Sequence, residues 1–159
     1  MVMKSVVILA VLCSVAAADV HTNKLAKVSF ETPKTYKLQD EDTQSKGQSE
    51  DKAVALALWI VDSGEPDKAT HDVAMQFYTM IGSLQWDKPK ADKLNGLAAQ
   101  WIEGTGLTGG NHKVDLHLVV AGPTATKKYA ILVAIVDGKQ DAAHKAEVTA
   151  ILKTLKPAK

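Results

Sequence analysis

The sequence predicts an α+β fold in which an antiparallel sheet carries helices packed on its faces, and three observations predict it. Two segments, Val54 to Val61 and Tyr129 to Val136, are apolar on both sides of a period-two pattern, as strands must be when a sheet is covered on both faces. Only two stretches, beginning at Pro66 and Asp141, carry apolar residues at three- and four-residue steps. The resulting order is strands, helix, a run of strands, helix, rather than a regular alternation of strand and helix.

Residues 1–18 come first and read as an address, not as fold. Lys4 supplies a positive start, Val6 to Val15 an apolar core and Ala16-Ala17-Ala18 a small-residue cleavage site, the pattern of a cleavable secretory signal. The apolar run is too short for a membrane span, which asks for about 20 residues, and no other segment approaches that length. Cys13, the only cysteine, lies within the signal and follows Leu12, where a lipid-modified signal wants a small residue. The expectation is a thiol-free single domain, residues 19–159, exported to a periplasmic or extracellular space and stabilised by its core alone.

Val28-Ser29-Phe30-Glu31-Thr32 alternates, Pro33 interrupts it and Tyr36-Lys37-Leu38 resumes it, which predicts two short strands. Asp40 to Asp51 holds no large apolar residue and predicts a solvated, mobile loop. In the strand that follows, Val54, Leu56, Leu58 and Ile60 share one face; Ala53, Ala55, Ala57 and Trp59 share the other. Ser63-Gly64-Glu65-Pro66-Asp67 starts a helix, with proline tolerated and acids favoured in the first turn. Its apolar stripe is Ala69, Val73, Phe77, Met80, Ile81 and Leu84, with Gly82 as a stopping point.

Strands around Asp92–Leu94 and Leu97–Glu103 flank Asn95-Gly96, a strong signal for a tight hairpin. After a glycine-rich turn, Val114 to Val120 and Tyr129 to Val136 form a second antiparallel pair across Gly122-Pro123. The closing helix, Asp141 to Leu155, buries Val148, Ile151, Leu152 and Leu155, and Pro157 ends it.

Charge excludes some partners. Nineteen basic residues stand against 18 acidic ones, and loss of Lys4 with the signal leaves the chain formally neutral, so no charge-driven partner is implied. Every basic residue is a lysine. Without the planar guanidinium fork that reads phosphate and guanine bidentately, nucleic-acid binding is not expected.

The element order, the opening Val28-Ser29-Phe30-Glu31-Thr32-Pro33, the Leu94-Asn95-Gly96-Leu97-Ala98 hairpin and the closing Ile151-Leu152-Lys153-Thr154-Leu155 together resemble the PsbP-like family, as an exported bacterial-type member. The resemblance covers most of residues 19–159 and implies an α/β/α sandwich. Family members are typically exported or organelle-lumen proteins that bind and assemble partners, photosystem II among them, and a nuclear relative binds a small GTPase. What the resemblance implies here is a non-catalytic binding or assembly module for a protein partner that the sequence does not identify. The competing classes are a small-ligand or Cu/Ni carrier and a cryptic enzyme.

Four features bear on chemistry. Gly104-Thr105-Gly106-Leu107-Thr108-Gly109 spells the dinucleotide fingerprint, but the segment after it alternates as a strand where the motif needs a helix N-terminus, so a flexible glycine-rich turn is expected and no cofactor. Asp115 and His117 share one strand face with Glu103 opposite, whereas His112 points the other way; a solvated, charged face is expected, with metal or proton chemistry as the alternative. Cleavage after Ala18 would start the chain Asp19-Val20-His21, whose α-amine, two amides and imidazole suit Cu(II) or Ni(II), against a disordered terminus as the ordinary reading. Trp59 and Trp101 lie in strands and are expected to be core, leaving Trp86, beside Gln85, Asp87 and Pro89, as the candidate surface contact. No serine or threonine stands out as a nucleophile, so an enzyme is not expected.

Overall fold

A computed structural model describes residues 17–159, so the predicted signal up to Ala16 lies outside the described residues. The strands β3 (Tyr36–Asp40), β4 (Gln44–Ser49), β5 (Val54–Val61), β6 (Gly82–Trp86), β7 (Lys90–Leu94), β8 (Leu97–Thr108), β9 (His112–Ala121) and β10 (Tyr129–Asp137) form one antiparallel sheet. Their spatial order is β3-β4-β5-β10-β9-β8-β6, with β7 paired to the same edge of β8 as β6. A smaller sheet, β1 (Ala18–Asn23), β2 (Val28–Pro33) and β11 (Lys156–Pro157), has β2 at its centre.

The two doubly apolar strands lie side by side in the middle, with Val54–Val61 paired residue by residue to Tyr129–Val136. Leu56 and Leu58 of β5, Leu132 of β10 and Val119 of β9 face Phe30 of the small sheet and Val148, Ile151 and Leu152 of helix α2 (Asp141–Lys153). Ile131, Val133, Leu116 and Leu118 point the opposite way, onto Ala69, Val73 and Phe77 of helix α1 (Pro66–Met80). The result is the α/β/α sandwich, and each fully buried Leu or Phe contributes roughly 1.5–3 kcal/mol by leaving water. Among the described residues no helix is long and apolar enough to cross a membrane.

Five expectations are corrected. The stretch Asp40 to Asp51, expected as a mobile loop, holds β4, which pairs with β3 on one side and β5 on the other. Its inward residues are Ser45 and Ser49, both buried, and a Cβ on Gly47 would strike the main chain of Lys37, so small residues are what this position in the sheet admits. Helix α1 stops at Met80 and its apolar stripe continues as a strand: Ile81 is buried beyond the helix, Leu84 belongs to β6 and Met80 is more than half exposed. Gly104 and Gly106 are inside β8; the turn is at Gly109-Gly110. The segment Asp19-Val20-His21 is an ordered strand paired with Thr32, Glu31 and Phe30. The face bearing His117 is covered by α2, leaving that histidine buried.

Candidate functional site

The outer edge of β8 is shared by two short strands that do not meet. β6 pairs with residues 104–107 and β7 with residues 97–101, so Asp87-Lys88-Pro89 crosses opposite Ile102 and Glu103 with a single ladder bond, Asp87 N–H to the Glu103 carbonyl at 2.8 Å. Proline has no N–H to extend the ladder, and the edge is broken here.

Two cavities meet at this break, sharing Asp87, Ile102 and Leu118. On the α1 side a cavity of about 150 Å³ is lined by Val73, Ala74, Trp86, Leu118 and Val120. On the α2 side a cleft of about 400 Å³ is lined by Lys88, Lys90, Trp101, Glu103, His117 and Thr149. One edge position thus offers an apolar chamber and a charged cleft.

Trp86 forms the wall of the apolar chamber. It is half-buried, lies across the strand pair from Gly104 and meets Phe77 edge-on with centroids 5.7 Å apart; Phe77 in turn leans on Trp59 at 5.2 Å. Trp86 Nε1–H is buried with no acceptor, the one such side-chain polar atom among the described residues. An unmet buried donor costs roughly 1–3 kcal/mol and asks for an explanation. Trp59 and Trp101 are partly buried and pack against the two cores.

In the charged cleft, His117 Nε2 stands 2.7 Å from Asp141 Oδ1, and its Nδ1 stands 3.6 Å from Glu103 Oε1, which Lys145 Nζ approaches at 3.7 Å. The Glu103–His117 pairing expected from the strand register is present. Asp115 lies opposite Thr105, two residues along, and joins neither contact. His112 points away and meets Asp137 at 3.0 Å, which, after the Lys139 amide, helps to hold that carboxyl below its usual range. Asp141 was not legible as a partner, because it enters from the first turn of α2 rather than from the sheet.

At the amino end, His21 stacks on Phe30 at 5.0 Å, with Nδ1 3.1 Å from Asp40 Oδ2 and Nε2 3.0 Å from Thr32 Oγ1. A metal held by Asp19, Val20 and His21 would have to draw the ring off both partners. Among the described residues no group of three His, Cys, Asp or Glu side chains is placed to hold a metal ion.

A further network escaped the sequence reading. Tyr36 hydroxyl donates to Glu147 Oε1 at 2.6 Å, His144 Nδ1 stands 3.5 Å from the same oxygen and His144 Nε2 stands 2.9 Å from Asp51 Oδ2. Ser49 Oγ donates to Asp51 Oδ1 at 2.5 Å. Burial first, and then the Glu147 carboxylate, push the Tyr36 phenol far above its usual range; the Ser49 hydroxyl and the Ala53 amide hold Asp51 below its own. The two carboxylates occupy opposite ring nitrogens of His144, so they do not converge on a common point. The arrangement ties β3, the β4–β5 turn and α2 together. Only the three-residue spacing of His144 and Glu147 on a helix could have hinted at it.

The sequence matches no family model and no curated protein. Solved structures do match. A cyanobacterial PsbP (CyanoP) from Synechocystis aligns at TM-score 0.65 and 10% identity, over 90% of this chain and 94% of its own. The Ran-binding protein Mog1p of Saccharomyces cerevisiae aligns at TM-score 0.58 and 9% identity, over 89% and 96%. LpqN of Mycobacterium tuberculosis, involved in cell envelope biogenesis, aligns at 0.52 and 12%, over 81% and 82%.

Proposed function

Starting from the PsbP-like fold of this chain, we propose that it is an exported, non-catalytic binding or assembly module, and that a protein partner docks at the broken edge of β8. One observation carries the reading: the sheet edge between β6 and β7 is interrupted at Asp87-Lys88-Pro89, where an apolar chamber and a charged cleft meet. An anchor pocket beside a polar rim is the layout on which protein interfaces concentrate their energy. Mog1p, a Ran-binding protein with the same fold, supports protein binding as the class of activity without naming the partner. Fold alone assigns no function, so the edge and its residues are the object of the test.

The test is affinity capture from the native extract by the purified protein and by Trp86→Ala, with mass spectrometry reading captured proteins and the exact N-terminus. The expected result is one stoichiometric protein held by the wild type and lost by the variant, circular dichroism showing both folded. Capture unaffected by Trp86→Ala would contradict the placement, and a retained small molecule without a protein would replace the reading with a carrier.

A further inference from the structure

The chain has three asparagines, and one of them, Asn95, is followed by glycine. Such a step is where a side-chain amide is most readily lost, because glycine leaves its main-chain nitrogen open to attack on the asparagine carbonyl carbon. At Gly96 an added Cβ would meet nothing within 4 Å, and both residues are exposed, so water and base reach the step. What holds the reaction back comes from the far end of the sequence. Asn95 and Gly96 take φ of 49° and 88° in the β7–β8 turn, and Asn95 Nδ2 donates to the carbonyls of Lys153 and Leu155, each at 2.9 Å. The Lys153 carbonyl belongs to the last turn of α2, where the helix offers no donor of its own. Ring closure requires the Asn95 side chain to swing toward the Gly96 nitrogen and shed its amide, and the two carbonyls hold that amide in place.

We propose that Asn95 is a conformationally gated deamidation site, intact while the end of α2 is docked on the hairpin and converted when that end lifts by local opening. In the first step the Gly96 N–H and Asn95 Cγ–Nδ2 bonds break, a bond forms between the Gly96 nitrogen and Cγ, and ammonia leaves with the proton. Water then opens the cyclic imide at either carbonyl, giving aspartate or its β-linked isomer. The product cannot restore the contact. A carboxylate has no N–H for the Lys153 and Leu155 carbonyls, and it brings negative charge to the negative end of the α2 dipole. The opening is thereby fixed in covalent form. Strand β11, which follows directly and pairs with β2 through Lys156 and Pro157, loses its anchor on the hairpin, as does the Ala158 amide that donates to the Lys27 carbonyl at 2.9 Å.

Peptide mass spectrometry on the purified protein, incubated folded and in urea, reads conversion at Asn95 directly. The folded protein should convert about 5- to 150-fold more slowly than the unfolded one, the weight of two net hydrogen bonds. Thr154→Val leaves Asn95 untouched but removes the hydroxyl that accepts from the Glu31 amide at 2.8 Å and secures the end of α2. It should raise the folded-state rate by about 2- to 10-fold, the weight of one such bond. Asn95→Asp installs the product and should speed amide exchange at Ala158 while β5 and β10 exchange as in the wild type. No conversion in the unfolded chain would overturn the site. Equal rates folded and unfolded, or a rate unmoved by Thr154→Val, would overturn the gate, and wild-type exchange at Ala158 in Asn95→Asp would overturn the consequence.

Discussion

Gly104 lies against the Trp86 indole: a Cβ built on Gly104 would stand 2.6 Å from Trp86 Cε3. The two are register partners on β8 and β6, and the ring covers the strand position that lacks a side chain, as aromatic residues do for sheet glycines. Gly104→Ala should therefore destabilise the protein by about 1–3 kcal/mol and displace the indole, in proportion to the overpacking it forces. Urea unfolding followed by tryptophan emission measures it. Gly109→Ala, where a Cβ meets open space, is the control and should cost far less.

The same glycines mark where the sequence could and could not be read. The central strands β5 and β10 were legible because Leu56, Leu58, Ile131 and Leu132 leave no polar face, and Asn95-Gly96 placed its hairpin because both residues take positive φ. β4 was illegible because Gln44–Ser49 has no apolar signal; its strand state comes from pairing on both edges. β6 was hidden by Ile81 and Leu84, whose spacing prolongs the α1 stripe although the chain has already turned into a strand. At the site, cross-strand register revealed Glu103 with His117, whereas Asp141 and the Tyr36–Glu147 contact join elements distant in sequence, which no local pattern encodes.

Asn95 does more than turn the β7–β8 hairpin. Its Nδ2 donates to the carbonyls of Lys153 and Leu155, both at 2.9 Å, capping the end of α2. Asn95→Gly keeps the positive φ of the turn and removes the cap, so the thermal midpoint should fall by an amount corresponding to about 1–3 kcal/mol. Differential scanning calorimetry at fixed pH reads it directly.

Stability should depend on pH through Asp51 and Tyr36. Asp51 is depressed in the fold, so its contribution is present above the unfolded carboxylate value of about 3.9 and is lost as pH falls through the lower folded value. Asp51→Asn should accordingly flatten the loss of stability on acidification below about pH 5. Tyr36 is raised, so its contribution is present below the unfolded phenol value of about 10 and declines as pH rises beyond it. Tyr36→Phe should flatten that alkaline decline. Urea midpoints measured across both ranges test the two signs separately, and unchanged slopes would contradict them.

His117 and Asp141 join the sheet to the first turn of α2 beside the charged cleft. Removing the Asp141 carboxylate takes the partner from Nε2 of the buried His117 and leaves only the longer Glu103 contact at its other ring nitrogen, so Asp141→Ala should destabilise by about 1–3 kcal/mol. Amide exchange should rise in the first turn of α2 more than in β5 or β10. Uniform change across the sheet would show that the contact is incidental.

The central claim, that a protein partner occupies the broken edge of β8, is tested most directly by hydrogen–deuterium exchange on the complex with the captured partner. The account predicts protection concentrated at Asp87–Lys90, Ile102 and Glu103, with the β3–β4 hairpin at the far end of the sheet unchanged. Protection at that hairpin or on the small sheet, with Asp87–Glu103 exchanging as in the free protein, would contradict it.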